Sequence, residues 1–203
     1  MANATGAFGL RPVCHFNGAP WNGATVTCYA EDSYATALFI GDPVLVTATT
    51  AERDTTLERP TINKSAGTDG TIVLGAIVAF DPDPTNLTLQ YRPASTNRVC
   101  HVCMGHDVVF EIRGDGGGTP DKNIIWNNAV MIATSTGSTT TGLSGMHLDE
   151  GTTTAPSANQ SYPLIIVGKS SRPDNETGTS MLYRVVLNTA LNATGDRLGI
   201  VGA

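Results

Sequence analysis

Apolar residues come in short runs separated by Gly, Pro, Asn and Asp, and no run sustains a helical period. Thr25-Val26-Thr27-Cys28-Tyr29 reads as a strand. Ala37-Leu38-Phe39-Ile40 leads into the turn signal Gly41-Asp42-Pro43, after which Val44-Leu45-Val46-Thr47 resumes the strand pattern. Residues 50–70 read as a polar loop. Thr71 to Phe80 is almost continuously apolar, which predicts a strand buried on both faces, with Gly75 marking a bend or bulge. Leu87-Thr88-Leu89-Gln90-Tyr91 alternates as a half-exposed strand does. Asn97 to Met104 and Val108 to Arg113 predict two more. Thr119-Pro120-Asp121 suits the cap of one helical turn, Ile124-Ile125-Trp126 fits helix or strand, and Ala129 to Ala133 is apolar again. Tyr162 to Gly168 and Met181 to Asn188 are the last strands, bringing the total to roughly nine of ordinary length.

Two segments fall outside this pattern. Residues 1–23 hold Phe8-Gly9-Leu10-Arg11-Pro12-Val13 and a turn-rich Asn17 to Gly23 around Trp21, and they read as an extended N-terminal arm that needs a surface to lie on. Residues 134–161 are a Thr/Gly-rich loop of low complexity. The expected fold is therefore all-β: a small barrel or sandwich-like body over 24–203, with long loops, preceded by the arm at 1–23.

Composition agrees with this reading. Charged residues are 15% of the 203, and Thr, Asn, Ser and Gly make up the polar balance. The net charge is −6, with only three lysines, Lys64, Lys122 and Lys169. No basic cluster occurs along the chain, which argues against direct nucleic-acid binding. Residues 1–6 lack the basic and apolar regions of a secretory signal, and no apolar run nears the ~18 residues that cross a bilayer. The expectation is a chain made in a cytoplasm, with no membrane partner.

Four constellations could carry chemistry. Cys100-His101-Val102-Cys103 with His106 has the C-x-x-C of a zinc site. In a strand, however, residues three apart point to opposite faces, which favours small buried thiols. Gly114-Asp115-Gly116-Gly117-Gly118 could cradle a phosphate but lacks the Lys and the long helix of a nucleotide loop. Asp81 with Asp83, and Asp149 with Glu150, are carboxylate pairs in turn sequence, where solvation is commoner than acid–base work. Thr140 to Ser144 offers hydroxyls near His147 without a nucleophile elbow. No catalytic, cofactor or metal residue is assigned from these.

A resemblance covers most of the chain. Phe8-Gly9-Leu10-Arg11-Pro12-Val13, Asn17 to Gly23, Gly41-Asp42-Pro43-Val44, Asp81-Pro82-Asp83-Pro84, Arg92 to Thr96, Asp107 to Ile112, Pro163 to Ile166 and Arg172-Pro173-Asp174-Asn175 follow one another as in small head proteins of tailed bacteriophages. Each motif is weak alone; their order resembles the cement or decoration proteins of the capsid. That resemblance implies a virion structural protein, commonly a homotrimer, seated on the outside of the shell against the major capsid protein, with no cofactor and no enzyme activity. Phe8, Leu10, Arg11, Pro12 and Trp21 are then the expected capsid or inter-subunit contacts. A glycan-binding fibre module and a zinc hydrolase built on Cys100, Cys103 and a His are the rival expectations.

Overall fold

The computed structural model describes residues 3–46, 59–105, 107–118, 122–132 and 135–188. These described residues are all-β, with twelve strands in three antiparallel sheets and one short 3-10 helix at Lys122–Ile124. The first sheet orders β1 (Arg11–His15), β7 (Val108–Arg113), β12 (Leu182–Leu187), β11 (Leu164–Lys169) and β8 (Asn128–Ala129). The second orders β2 (Val26–Ala30), β6 (Arg98–Met104), β5 (Gly75–Phe80), β3 (Pro43–Val46) and β4 (Ile62–Lys64). A two-residue pair, β9 (Met131–Ile132) with β10 (His147–Leu148), forms the third.

The second sheet curls until its edges meet. Tyr29 of β2 bridges Thr61, and its N–H donates to the Pro60 carbonyl at 3.0 Å. This closes a small barrel around Cys28, Val44, Ile62, Ile77, Cys100 and Val102, each fully buried. Closure removes the exposed strand edges that invite aggregation. The first sheet packs on the outside of the barrel. Its Phe110, Ile112, Leu164, Ile166 and Val185 share one core with Ala76 of β5 and Cys103 of β6. Alternation explains the layering: Ala76 and Cys103 look toward the first sheet, while their neighbours Ile77 and Val102 look into the barrel. Burying a side chain of this size contributes about 2 kcal/mol.

The all-β expectation holds, and several of its details change. β5 has apolar neighbours on both faces, as expected, but the register shift falls between Ile77 and Ala79 rather than at Gly75. Gly75 instead admits a close approach: a Cβ there would lie 2.1 Å from the Cys103 carbonyl oxygen. Residues 87–91 are no strand. Asn86 and Asp83 fold the chain into turns, and Leu87 is 79% exposed. β1, β4, β8 and β10 are short additions to the expected set. Thr47, residues 50–58, His106, the Thr119–Asp121 cap, Ala133 and Thr134 lie outside the described residues.

The segment expected as an arm is in part a strand of its own domain. Residues 11–15 pair with β7 along the edge of the first sheet, and a hairpin bridge joins Cys14 to Pro20. Just before it, Gly9 and Gly41 cross at backbone contact, both at positive φ. A Cβ on Gly9 would sit 2.1 Å from the Gly41 oxygen, and one on Gly41 1.9 Å from the Phe8 oxygen. Only glycine permits this crossing. It lets Leu10 donate to the Gly41 carbonyl at 2.8 Å and enter the shared core at 1% exposure.

Candidate functional site

The strand register decides the cysteine question. Cys100 faces Cys28 across β2 and β6 inside the barrel, and Cys103 points the other way into the core between the layers. Both are fully buried and unpaired. Burial pushes the Cys28 thiol up to about 11 and the Cys103 thiol up to about 12, and it raises Cys100 further. Such thiols are neither nucleophiles nor ready metal ligands. His101 joins Asp81 at 2.8 Å. Among the described residues no group of three or more His, Cys, Asp or Glu is placed to hold a metal.

The other polar constellations are tied into the fold. The glycine loop receives a carboxylate of its own chain: Gly116 N–H donates to Glu150 at 2.8 Å, and the Tyr183 hydroxyl donates to the same carboxyl at 2.6 Å. Burial raises the Glu150 pKa despite those two bonds. Asp149 accepts N–H groups from Gly151, Thr153 and Thr154. Asp83 caps its turn through Thr85 and Asn86, and the Thr85 bonds hold its carboxyl below the ordinary range. Ser144 donates to buried Asp42 at 2.6 Å, and Lys64 pairs with that carboxylate at 3.0 Å. His147 lies on β10, half-buried.

The contact candidates separate by burial. Leu10 is committed to the core. Arg11 and Pro12 from β1, with Trp21, line one wall of a cleft of about 520 Å³ whose other wall is Val78, Ala79 and His101. Trp21 packs against the shared core, and its indole N–H is buried beside the Cys103 thiol without a well-formed hydrogen bond. Phe8 lies under two guanidinium groups, 4.6 Å from Arg11 and 5.8 Å from Arg113.

Two features escaped the sequence reading. Phe16 and Trp126, 110 residues apart, meet edge to face at 6.0 Å, and they remain 52% and 40% exposed. Trp126 holds a left-handed backbone, φ 67°, and donates to the Ile166 carbonyl of β11 at 2.6 Å. The sequence left Ile124-Ile125-Trp126 open between helix and strand, and gave no sign of this pairing. The second is a row of arginines. The chain has no basic run, but register sets Arg11, Glu111 and Arg184 side by side across β1, β7 and β12. Arg172, after β11, reaches the same Glu111 at 3.1 Å. Arg113, two residues along the same face of β7, donates to carbonyls of Gly6, Ala4 and Ser180. The expectation of no basic cluster is thus corrected in space, though it stands along the sequence.

No family model, curated protein or solved structure matches this chain.

Proposed function

We propose that the chain is a structural subunit of a tailed-phage head that binds the outside of the capsid shell and stabilises its lattice. The observation that carries this reading is the exposed surface flanking β1. An apolar cleft lined by Arg11, Pro12 and Trp21 borders β1, and an uncovered ring pair joins Phe16, just past the end of β1, to Trp126 beside β11. Aromatic and Arg residues of this kind dominate protein–protein contacts. The polar groups that chemistry would need are meanwhile engaged in caps, latches and buried pairs. A subunit that binds only the assembled shell stabilises that shell by mass action, and many copies multiply weak contacts.

The test is co-sedimentation of purified protein with empty heads. Phe16→Ala and Trp126→Ala each change an exposed side chain, and Arg11→Gln keeps the backbone ladder of β1 but gives up its bond to Glu111, so the fold of each variant is checked first. Loss of binding in folded variants is the expected result; undiminished binding in all three overturns the assignment of this surface. Removing residues 1–22 is a poorer test, since it deletes β1 and Leu10 and so removes part of the core.

The Phe16–Trp126 pair is also the observation that favours a glycan-binding fibre module, because exposed rings stack on sugars. A glycan-array signal that Trp126→Ala abolishes would select that reading instead.

A further inference from the structure

Arg11, Arg172 and Arg184 crowd a single carboxylate. Glu111 Oε2 accepts from Arg11 at 2.8 Å and lies 3.1 Å from an Arg172 terminal nitrogen, and Oε1 accepts from Ser170 at 2.6 Å and Arg172 Nε at 3.4 Å. Among the described residues Arg184 donates only to Ser171 Oγ, at 3.2 Å, and its buried Nε has no partner there. One carboxylate cannot satisfy three guanidinium groups, each with five N–H donors. The side chains of Arg11 and Arg172 are 44% and 41% exposed, so their remaining donors face outward. Of the nine arginines in the chain, these three and Arg113 stand on one end of one sheet face.

The opposite chemistry lies on the barrel. A cleft of about 460 Å³ is lined by Tyr29, Asp81, Asp83, Asn97 and Arg98, whose guanidinium is itself spent on the carbonyls of Asp81, Leu89 and Tyr91. Asp81 Oδ1 is taken by His101, and Asp83 Oδ1 by Thr85 and Asn86. Among the described residues the second oxygen of each carboxylate has no partner. Glu31 and Asp32 stand close by, where Asn97 donates to Asp32 at 3.1 Å. Two carboxylates beside an aromatic ring are what a guanidinium binds best, with bidentate bonds at its edge and stacking on its face.

We infer that copies of this chain associate, the arginine ridge of one entering the Asp81–Asp83 cleft of another. Both halves of the contact are present on every copy, so the association is self-complementary and requires no other partner. The contact rests on the reading of the chain as a multi-copy subunit, and it names the surfaces that join neighbouring copies. It also gives the outward-facing donors of Arg11 and Arg172 a carboxylate partner on a chain that is acidic overall.

Sedimentation velocity tests it with two folded double variants, Arg172→Gln with Arg184→Gln, and Asp81→Asn with Asp83→Asn. The asparagines preserve the turn cap. The wild type is expected to be oligomeric at low ionic strength and monomeric in about 1 M salt, where screening is nearly complete beyond ~3 Å. Each double variant should weaken association by roughly 30-fold or more. An equimolar mixture of the two should recover a dimer, since one ridge and one cleft remain intact between them. A wild type that stays monomeric, or an oligomer that survives salt and both variants, overturns the contact. Because head binding is read separately, a monomer that still sediments with heads would sink this inference and leave the proposed function standing.

Discussion

Arg11 and Glu111 stand opposite each other across β1 and β7 and join at 2.8 Å, the carboxylate side chain 3% exposed and the guanidinium 44% exposed. The pair fastens the edge strand to the sheet and holds Arg11 at the rim of the apolar cleft. Fold and surface are coupled at this point, since the residue proposed to meet a partner also closes the domain's own edge.

The coupling gives a pH signature. Burial pushes the Glu111 pKa up, but hydrogen bonds from Ser170 and Arg11 and the charge of Arg172 outweigh it, leaving the carboxyl below its ordinary 4.5. A depressed folded-state pKa adds stability above the unfolded value and loses it as pH falls through the folded one. Thermal midpoints should therefore drop below about pH 4.5. Glu111→Gln should lose about 2 kcal/mol at pH 7 and show a flatter acid limb. Glu150 runs the other way: its raised pKa costs stability as pH climbs from 4.5 through the folded value. Glu150→Gln should decline less than wild type across that interval.

Arg92 is the internal counterpart of the surface arginines. It is fully buried, and its guanidinium donates to the carbonyls of Thr96 at 2.6 Å, Tyr34 at 2.8 Å, Thr36 at 2.7 Å and Glu31. It thereby clips the loop before Leu38 to the loop after Tyr91. Arg92→Met leaves four carbonyls short of a donor and should cost roughly 3 to 5 kcal/mol by chemical denaturation. A loss under 1 kcal/mol would show that water replaces the guanidinium.

Thiol chemistry checks the two-faced placement of β6. In the native protein, alkylation followed by mass spectrometry should label Cys14, which is half-buried, and spare Cys28, Cys100 and Cys103. All four should react once the chain is unfolded. Chelators should leave the melting midpoint unchanged. Stoichiometric zinc, or a chelator-dependent loss of stability, would revive the metal reading of Cys100 and Cys103.

The sequence carried the fold class because alternation and turn residues are local signals. β7, β11 and β12 were readable from Val108 to Arg113, Tyr162 to Gly168 and Met181 to Asn188. The same logic failed at Leu87 to Tyr91, where a strand-like alternation is overridden by the Asx turns of Asp83 and Asn86. It also failed for residues 10–15, whose partner strand lies about a hundred residues onward and leaves no local trace. The surface was half legible. Arg11, Pro12 and Trp21 were named from the chain and line one cleft. The ridge of Arg11, Arg172 and Arg184 and the meeting of Phe16 with Trp126 depend on register and topology, which one-dimensional spacing does not encode.

Cryo-electron microscopy of the particle that carries this chain tests the central claim most directly. The account predicts density for a barrel and an attached five-stranded sheet outside the shell, repeated at fixed lattice positions, with the β1 edge and the Phe16–Trp126 pair turned toward a neighbour. Absence of the chain from the head, or its placement at the tail tip with that edge facing solvent, would contradict it.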